Sequence, residues 1–294
     1  MRPPLPISRF PSVPVTAGTI LLASGVSLAY WAKIDIAPIE ASPLIGRGEL
    51  WRLLTAALPH ADPFHLLFNA FWVWTFGALI EVTFGHMATL GIFVLLASGS
   101  MAAEWAVLRG GVGLSGVGYG LFGLIYILER HDRRFTDAID RQTTIIFIAW
   151  FFLCILTTIL GIFPVANIAH GAGWLLGILL GLAIAEKSTR QFSAIIGLIA
   201  MQIIFLVGAT IARPYVNRSS DAALEVEAMG YDALEENRNA DAVYWLKQAV
   251  RMEPGIPRAW NNLGIAYTRV DQENEAADAF ATADRLKSQP DLAP

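Results

Sequence analysis

Apolar positions along the chain fall into seven long runs separated by short polar stretches. The runs lie at about residues 15–32, 63–80, 87–108, 113–128, 143–163, 165–185 and 192–212. Each is close to the roughly 20 residues that a helix needs to cross a bilayer. The pattern therefore predicts an all-α, polytopic membrane helical bundle that begins after a short tail at residues 1–12.

The connection between the first two runs differs from the other loops. Residues 33–59 are too polar to span a membrane and too apolar to be a free linker. Trp51 and Arg52 belong to residue types that anchor a segment at the level of the lipid headgroups. We therefore expect this connection to lie in the membrane interface.

Composition agrees with a membrane protein and excludes one class of partner. The chain is 55% hydrophobic and 16% charged, which is too apolar for an ordinary soluble domain. Its net charge is −4, and its basic residues are not pooled as nucleic-acid binding requires. We expect no nucleic-acid partner, and we expect Cys154 to pack as a small hydrophobic residue.

Basic residues predict the orientation. They include Arg2 and Arg9 in the tail, Arg130, Arg133, Arg134 and Arg141 after the fourth run, and Lys187 and Arg190 after the sixth. Lys and Arg concentrate in cytoplasmic loops. The opposite side also carries basic residues, but the four arginines after the fourth run are the strongest signal. The prediction is a cytoplasmic N-terminus, seven crossings and an extracytoplasmic C-terminus.

Three polar residues in different apolar runs predict a functional site. These residues are His65, Ser115 and His170, and an ionisable residue within a membrane is a functional hypothesis by default. Their runs end at acidic residues, which are Glu81, Glu129 and Glu186. With a rise of about 1.5 Å per residue, each of these polar residues lies about 21–24 Å along its helix axis from the acidic residue that ends its run. We therefore expect them to share one level in the outer half of the membrane.

Glycine spacing predicts that two of these runs are in contact. The glycines are Gly116 and Gly120 on the fourth run, and Gly173, Gly177 and Gly181 on the sixth. Such rows allow helix backbones to approach closely, which would bring Ser115 within reach of His170. The alternative is that the glycines serve only helix packing, that Ser115 is a small packing residue and that His170 is an interhelical hydrogen bonder.

Other catalytic motifs do not fit. Gly111 to Gly116 matches a dinucleotide-binding pattern but lacks the preceding strand. Val117 stands where the hydrolase elbow requires glycine. His60 and His65 are five residues apart, which is not the spacing of a helical zinc motif. We predict no metal and no cofactor.

Four motifs resemble those of the rhomboid intramembrane serine proteases. They are Gly113-Leu114-Ser115-Gly116, Ala169-His170-Gly171-Ala172-Gly173, His65-Leu66-Leu67-Phe68-Asn69 and Glu49-Leu50-Trp51-Arg52. The motifs stand in the family's order and on the corresponding segments. The resemblance covers about residues 13–188 and implies a six-helix protease domain at 13–190, followed by a seventh transmembrane helix at 191–212.

The resemblance also implies roles for individual residues. Ser115 would be the nucleophile and His170 the general base, in a dyad without a third acid. His65 and Asn69, with the Ser115 backbone N–H, would form the oxyanion hole, whereas the alternative for Asn69 is interhelical packing. Tyr119 would pack on the histidine ring.

Three further positions would support the dyad. Gly113 and Gly116 belong to the nucleophile motif, and His60 is retained. The chain departs from the family at Ala56, where relatives often carry a histidine that helps to hold water. This departure concerns the water supply rather than the dyad.

The C-terminal part differs in composition and shows a repeat. After a polar linker at 213–222, a 34-residue period pairs Gly230 with Gly264, Ala242 with Ala276, and Ala249 with Ala283. Residues 223–290 resemble tetratricopeptide repeats. Two copies are fewer than the roughly three that normally form a stable array. The segment can therefore oligomerise, lean on the membrane domain or bind a protein partner, or it is a plain helical cap.

These observations predict an intramembrane serine endopeptidase of the bacterial inner membrane. Its substrates would be other transmembrane proteins, and it would be surrounded by membrane lipid. The alternative is a catalytically inactive rhomboid-like scaffold that binds membrane proteins. A transporter would place polar residues through the full depth of the bilayer, whereas here they lie on one side.

Overall fold

A computed structural model describes residues 1–187 and 189–288. The chain divides into two compact units, Met1–Val216 and a second unit that begins at Asn217. Residue 188, within the predicted protease domain, and residues 289–290, at the end of the predicted repeats, lie outside the described residues.

The first unit is built from helices, and each of the seven apolar runs forms one. Its α-helices are α1 (Pro14–Trp31), α2 (Arg52–Thr55), α3 (Pro63–Phe84), α4 (His86–Val107), α5 (Ser115–His131), α6 (Arg141–Ile159), α7 (Asn167–Ala185), α8 (Thr189–Ala209) and α9 (Arg213–Val216). In the described part of the chain, six helices are long and apolar enough to cross a membrane. The remaining long helix, α5, has 17 residues. The predicted all-α membrane bundle is confirmed for these residues.

Local sequence explains where the long helices begin. Asp62 accepts a hydrogen bond from the His65 backbone N–H at the start of α3, and Pro63 occupies the first helical position. Asp140 caps α6 in the same way by accepting from Thr143 N. Gly85, with φ of +83°, separates α3 from α4, because glycine adopts positive φ without strain.

The closest helix pair in the first unit is α5 with α7. A β-carbon at Gly173 would collide with the Gly116 carbonyl oxygen, and one at Gly177 would collide with that of Gly120. At Gly181 the nearest backbone atom would be 3.0 Å away. The contact predicted from the two glycine rows is therefore confirmed.

Two of the three acidic residues do not end their helices as we expected. The helix α3 continues beyond Glu81 to Phe84, and α5 continues beyond Glu129 to His131. Glu81 is buried and accepts hydrogen bonds from the backbone N–H groups of Val15 and Thr16. It therefore caps α1 instead of marking a membrane boundary, while Glu186 does follow directly on α7.

Arg52 does not point to lipid headgroups, so this part of the interfacial prediction is wrong. The side chain is only 6% exposed. Its guanidinium bonds the Glu49 carboxylate at 2.7 Å and donates to the carbonyl oxygens of Ala37 and Glu40. Arg52 thus holds the long connection together from within, whereas Trp51 is exposed.

The seventh long helix, α8, packs against α4 and α7. Gln202 of α8 donates a hydrogen bond to Ser98 Oγ of α4 at 2.9 Å. The predicted linker at 213–222 begins with the short helix α9. Its first residue, Arg213, is buried, and the first unit therefore extends to Val216.

The second unit contains two helix pairs that repeat each other. Its helices in the described residues are α10 (Ala222–Glu235), α11 (Asn239–Met252), α12 (Pro257–Thr268) and α13 (Glu273–Ser288). Gly230 lies against Leu246, and Gly264 lies against Phe280. Asn237 and Asp271, at the turns within the two pairs, both have positive φ, 57° and 58°. The 34-residue period thus recurs in backbone geometry, while assignment to the tetratricopeptide class stays a prediction.

Candidate active site

Ser115 is the first residue of α5 and follows a turn that requires glycine. Gly113 has φ of +100°, a conformation that other residues rarely adopt. A β-carbon there would also lie 2.7 Å from Cε1 of His65. The turn therefore places the serine at the helix start with the His65 ring beside it.

The structure brings Ser115 and His170 together. Nε2 of His170, on α7, lies 2.8 Å from Ser115 Oγ, within hydrogen-bond distance. His170 is 3% exposed, and its Nδ1 has no hydrogen-bond partner among the described residues. A neutral imidazole in this position can accept the serine proton, and no carboxylate in residues 1–187 or 189–288 holds its other nitrogen.

Tyr119 fixes the plane of the histidine ring. It lies one turn after Ser115, and its ring stacks on His170 with centroids 4.7 Å apart and 29° between the planes. The Tyr119 hydroxyl donates to the Phe147 carbonyl oxygen of α6 at 3.1 Å. The tyrosine therefore connects the predicted dyad to the neighbouring helix.

His65 and Asn69 lie one turn apart on α3. Asn69 is 5% exposed, and its Nδ2 has no hydrogen-bond partner within the described chain. Leaving a buried donor unpaired costs about 1–3 kcal/mol. The amide is thus available to a ligand oxygen, and the His65 ring lies against Gly113 two residues before Ser115.

His60 supports the turn before the nucleophile. Its Nε2 accepts a hydrogen bond from the Leu114 backbone N–H at 3.2 Å, and its Nδ1 lies 2.9 Å from the Leu58 carbonyl oxygen. Burial, reinforced by the neighbouring His65, lowers the pKa of His60 to about 4. The neutral ring with its proton on Nδ1 satisfies both contacts. Ser27 of α1 also lies 3.2 Å from Nδ1.

Gly116 completes the tight packing around the serine. A β-carbon at this position would collide with Ser100 of α4 and lie 3.4 Å from the Ala169 carbonyl oxygen of α7. Three helices therefore meet at the residue that follows Ser115. At Ala56, where the chain departs from the rhomboid pattern, the side chain is buried.

Sequence reasoning missed one buried acid near the site. Glu104 of α4 accepts a hydrogen bond from the Ala169 backbone N–H at 2.9 Å, immediately before His170. Glu104 is the only charged residue in the apolar run 87–108. This position could have identified it from the sequence, because a charged residue within a membrane segment predicts a function. Within the described residues, no group of three His, Cys, Asp or Glu side chains could hold a metal ion.

Comparison with known proteins places this site in a family. The profile of the Rhomboid domain matches residues 47–187. The rhomboid protease GlpG of Haemophilus influenzae is 30% identical over 135 residues, which cover 45% of this chain and 69% of that relative. The chain belongs to the rhomboid family. It is accordingly a multi-pass integral membrane protein with apolar spanning helices.

Two further relatives show the extent of the likeness. The rhomboid protease GlpG of Pectobacterium atrosepticum is 31% identical over 134 residues, which cover 45% of this chain and 48% of the relative. RHOMBOID-like protein 1 of Arabidopsis thaliana is 28% identical over 179 residues, 60% of this chain and 43% of the relative. The chain thus spans less than half the length of these two relatives. The rhomboid match contains Ser115 and His170, whereas α8 and the second unit follow it.

Proposed function

We propose that this rhomboid protein is a serine endopeptidase that hydrolyses peptide bonds in or near transmembrane segments of membrane proteins. The observation that carries the proposal is the 2.8 Å contact between Ser115 Oγ and His170 Nε2. Membership in a family with relatives named rhomboid proteases supports the reaction class.

The reaction follows from the two side chains. Ser115 Oγ attacks the substrate carbonyl carbon while its proton passes to His170 Nε2. As the C–N bond breaks, His170 returns this proton to the leaving nitrogen, and an acyl ester forms on Ser115. A water molecule then loses a proton to His170 and attacks the ester. His170 passes this proton to the departing Ser115 Oγ, which restores the serine and releases the product as a carboxylic acid that ionises.

We assign oxyanion stabilisation to Asn69, His65 and the Ser115 backbone N–H. Donors that are already in place stabilise the negative oxygen of the tetrahedral intermediate without reorganisation. The buried Nδ2 of Asn69 has no hydrogen-bond partner in the described residues, which supports this role.

The remaining predicted site residues hold the dyad in place. Tyr119 keeps the His170 ring oriented through stacking, in place of a third acid. Gly113 and Gly116 allow the close approach of His65 and of α4. His60 fixes the Leu114 N–H before the nucleophile.

We further propose that the N-terminus is cytoplasmic and that the tetratricopeptide-like second unit lies outside the cytoplasm of a bacterial cell. The arginines at positions 130, 133, 134 and 141 support this orientation. The second unit would recruit a substrate or a protein regulator.

The experiment compares membrane proteomes of cells that produce the wild type, Ser115→Ala or Ser24→Ala. Ser24 is the matched control because, among the described residues, its hydroxyl donates to Ile20 O within α1. We expect fragments with new termini in or near transmembrane segments from the wild type and Ser24→Ala, and none from Ser115→Ala. Identical fragments from Ser115→Ala would favour the scaffold, with cleavage by another enzyme.

A further inference from the structure

Glu104 is a buried acid outside the proposed dyad and oxyanion donors. It lies in the last turn of α4, and it is 2% exposed. A carboxylate in this environment is costly unless it is hydrogen-bonded. Its partners are backbone N–H groups at the beginning of α7, Ala169 at 2.9 Å and Ile168.

The helix α7 has no cap of its own. Its N-cap residue, Ala166, offers no side-chain acceptor, and no cap hydrogen bond is formed there. The first N–H groups of a helix have no partner within the helix and carry its positive dipole end. Glu104 therefore supplies from α4 the acceptor and the negative charge that the α7 sequence lacks. His170 is the fourth residue of α7, within this same turn.

Arg213, which lies after the seventh long helix α8, contacts the end of α4 that carries Glu104. Arg213 is buried, and its guanidinium lies 3.4 Å from the ring centroid of Trp105, the next residue after Glu104. It also donates to the Leu108 carbonyl oxygen at 3.0 Å. Arg213 is the first residue of α9, which follows α8 after residues 210–212, and it lies beyond the residues that match the Rhomboid domain.

We propose that Glu104 is a positioning residue that sets the place of His170 by capping α7, and that Arg213 holds Glu104 in position. This proposal rests on the proposed function for its kinetic consequence. The added helix α8 then contributes to the catalytic geometry. A misplacement of about 1 Å between reacting groups can cost about 100-fold in rate.

Glu81 is a matched control for Glu104. Its carboxylate is also 2% exposed and caps a helix start, that of α1, by accepting from Val15 N and Thr16 N. Both acids cap a helix, although Glu81 also lies 2.7 Å from Nδ1 of His86, and α1 carries neither member of the proposed dyad. Substitution of either acid should destabilise the fold, whereas only Glu104 should affect His170.

The first test measures the rate at which a small fluorophosphonate labels folded protein in detergent. We expect Glu104→Ala to slow labelling at least about 30-fold and to change its pH profile. Glu104→Gln, whose amide oxygen still accepts, should stay within about fivefold of the wild type. Glu81→Ala should lower the melting temperature but leave the labelling rate and pH profile of the folded fraction unchanged. Equal labelling of folded Glu104→Ala and Glu81→Ala would overturn the proposal.

Hydrogen exchange separates this proposal from the proposed function. If the wild type does not react with the probe, the endopeptidase assignment fails, but amide exchange still tests the cap. Glu104→Ala should speed exchange at residues 167–170, and Glu81→Ala should do so at residues 15–17. Unchanged exchange at 167–170 in Glu104→Ala would contradict the capping role.

Two variants test whether the segment after α8 acts on the site through Arg213. Arg213→Ala should slow labelling about three- to tenfold and speed exchange at residues 167–170. Gln202→Ala removes another α8–α4 hydrogen bond, to Ser98, and should change neither quantity. Equal behaviour of these two variants would show that α8 acts only through general packing and would overturn the role of Arg213.

Discussion

The helix that carries His170 has two different neighbours. Against α5 it packs backbone to backbone, because Gly173 and Gly177 leave no room for a β-carbon. Against α6, within the described residues, Asn167 of α7 donates a hydrogen bond to Thr158 Oγ1 at 2.8 Å. Most of α6 is not buried within the protein, as expected of a helix that faces lipid. The Ser115–His170 pair thus lies on the rigid α5–α7 interface, whereas α6 contacts the site through side chains.

Aromatic rings hold α6 to the site. Phe147 stacks on Phe122 of α5 with centroids 4.3 Å apart, and it meets Trp72 of α3 edge to face at 4.8 Å. Trp150 lies 5.1 Å from Phe68. Such contacts can be exchanged for the apolar side chains of an incoming segment. We therefore expect a substrate of the proposed endopeptidase to enter beside α6, while the α5–α7 pair stays in place.

The largest effect is expected from breaking the rigid interface. Gly177→Val should abolish the folded first unit, since its side chain would meet the Gly120 backbone. Gly118→Ala is the control on α5, because a β-carbon there meets no atom within 4 Å. It should be tolerated and should gain up to about 1 kcal/mol from helix propensity. Circular dichroism melting checks both, and a folded, active Gly177→Val would refute the close packing.

The next largest effect concerns Asn69, the buried amide proposed as an oxyanion donor. Asn69→Ala should lower kcat by about 10²–10³ if its amide stabilises the oxyanion. Thr75→Val is the control on the same helix, since within the described residues that hydroxyl bonds Phe71 O. Cleavage kinetics on a purified substrate check this prediction. A decrease in kcat below about threefold would instead assign Asn69 to packing.

Sequence reasoning predicted the meeting of Ser115 and His170, which lie 2.8 Å apart, because the signals for it are local. The motif around Ser115, the Ala169-His170 pair and the glycine rows each occupy a few consecutive turns, and their meeting followed from small residues on facing helices. The roles of Glu104 and Arg52 were not predicted. Glu104 bonds an N–H that is 65 residues away, and Arg52 is buried by carbonyl groups that only the folded loop brings together. Residue type alone does not reveal such partners.

The stability of the protein is expected to depend on pH through His60. The pKa of His60 is about 4 in the folded state, below the ordinary value of about 6.5 in the unfolded chain. The unfolded state therefore binds more protons as the pH falls from about 6.5 to 4, and stability decreases over this range by at most about 3 kcal/mol. Denaturant titrations of wild type and His60→Gln check this, since the variant should lose that part of the dependence. Identical pH profiles would contradict a buried neutral His60.

The smallest effect is expected from loosening α6. Thr158→Val removes the hydroxyl that accepts hydrogen bonds from Asn167 Nδ2 of α7 and from Val165 N of the connecting loop. One such hydrogen bond is worth about 1 kcal/mol. We expect cleavage of a transmembrane substrate to rise up to about fivefold, with unchanged labelling by a small probe. Thr157→Val is the control, because within the described residues that hydroxyl bonds Cys154 O of its own helix. A parallel rise in both assays, or in both variants, would argue against entry beside α6.

The proposed function depends on the activation of Ser115 by His170 for attack on a carbonyl carbon. Treating the purified protein with a fluorophosphonate and mapping the adduct by peptide mass spectrometry measures this activation. We expect one adduct, on Ser115, that disappears in Ser115→Ala and in His170→Ala. A folded wild type without an adduct on Ser115, or undiminished labelling of His170→Ala, would contradict it.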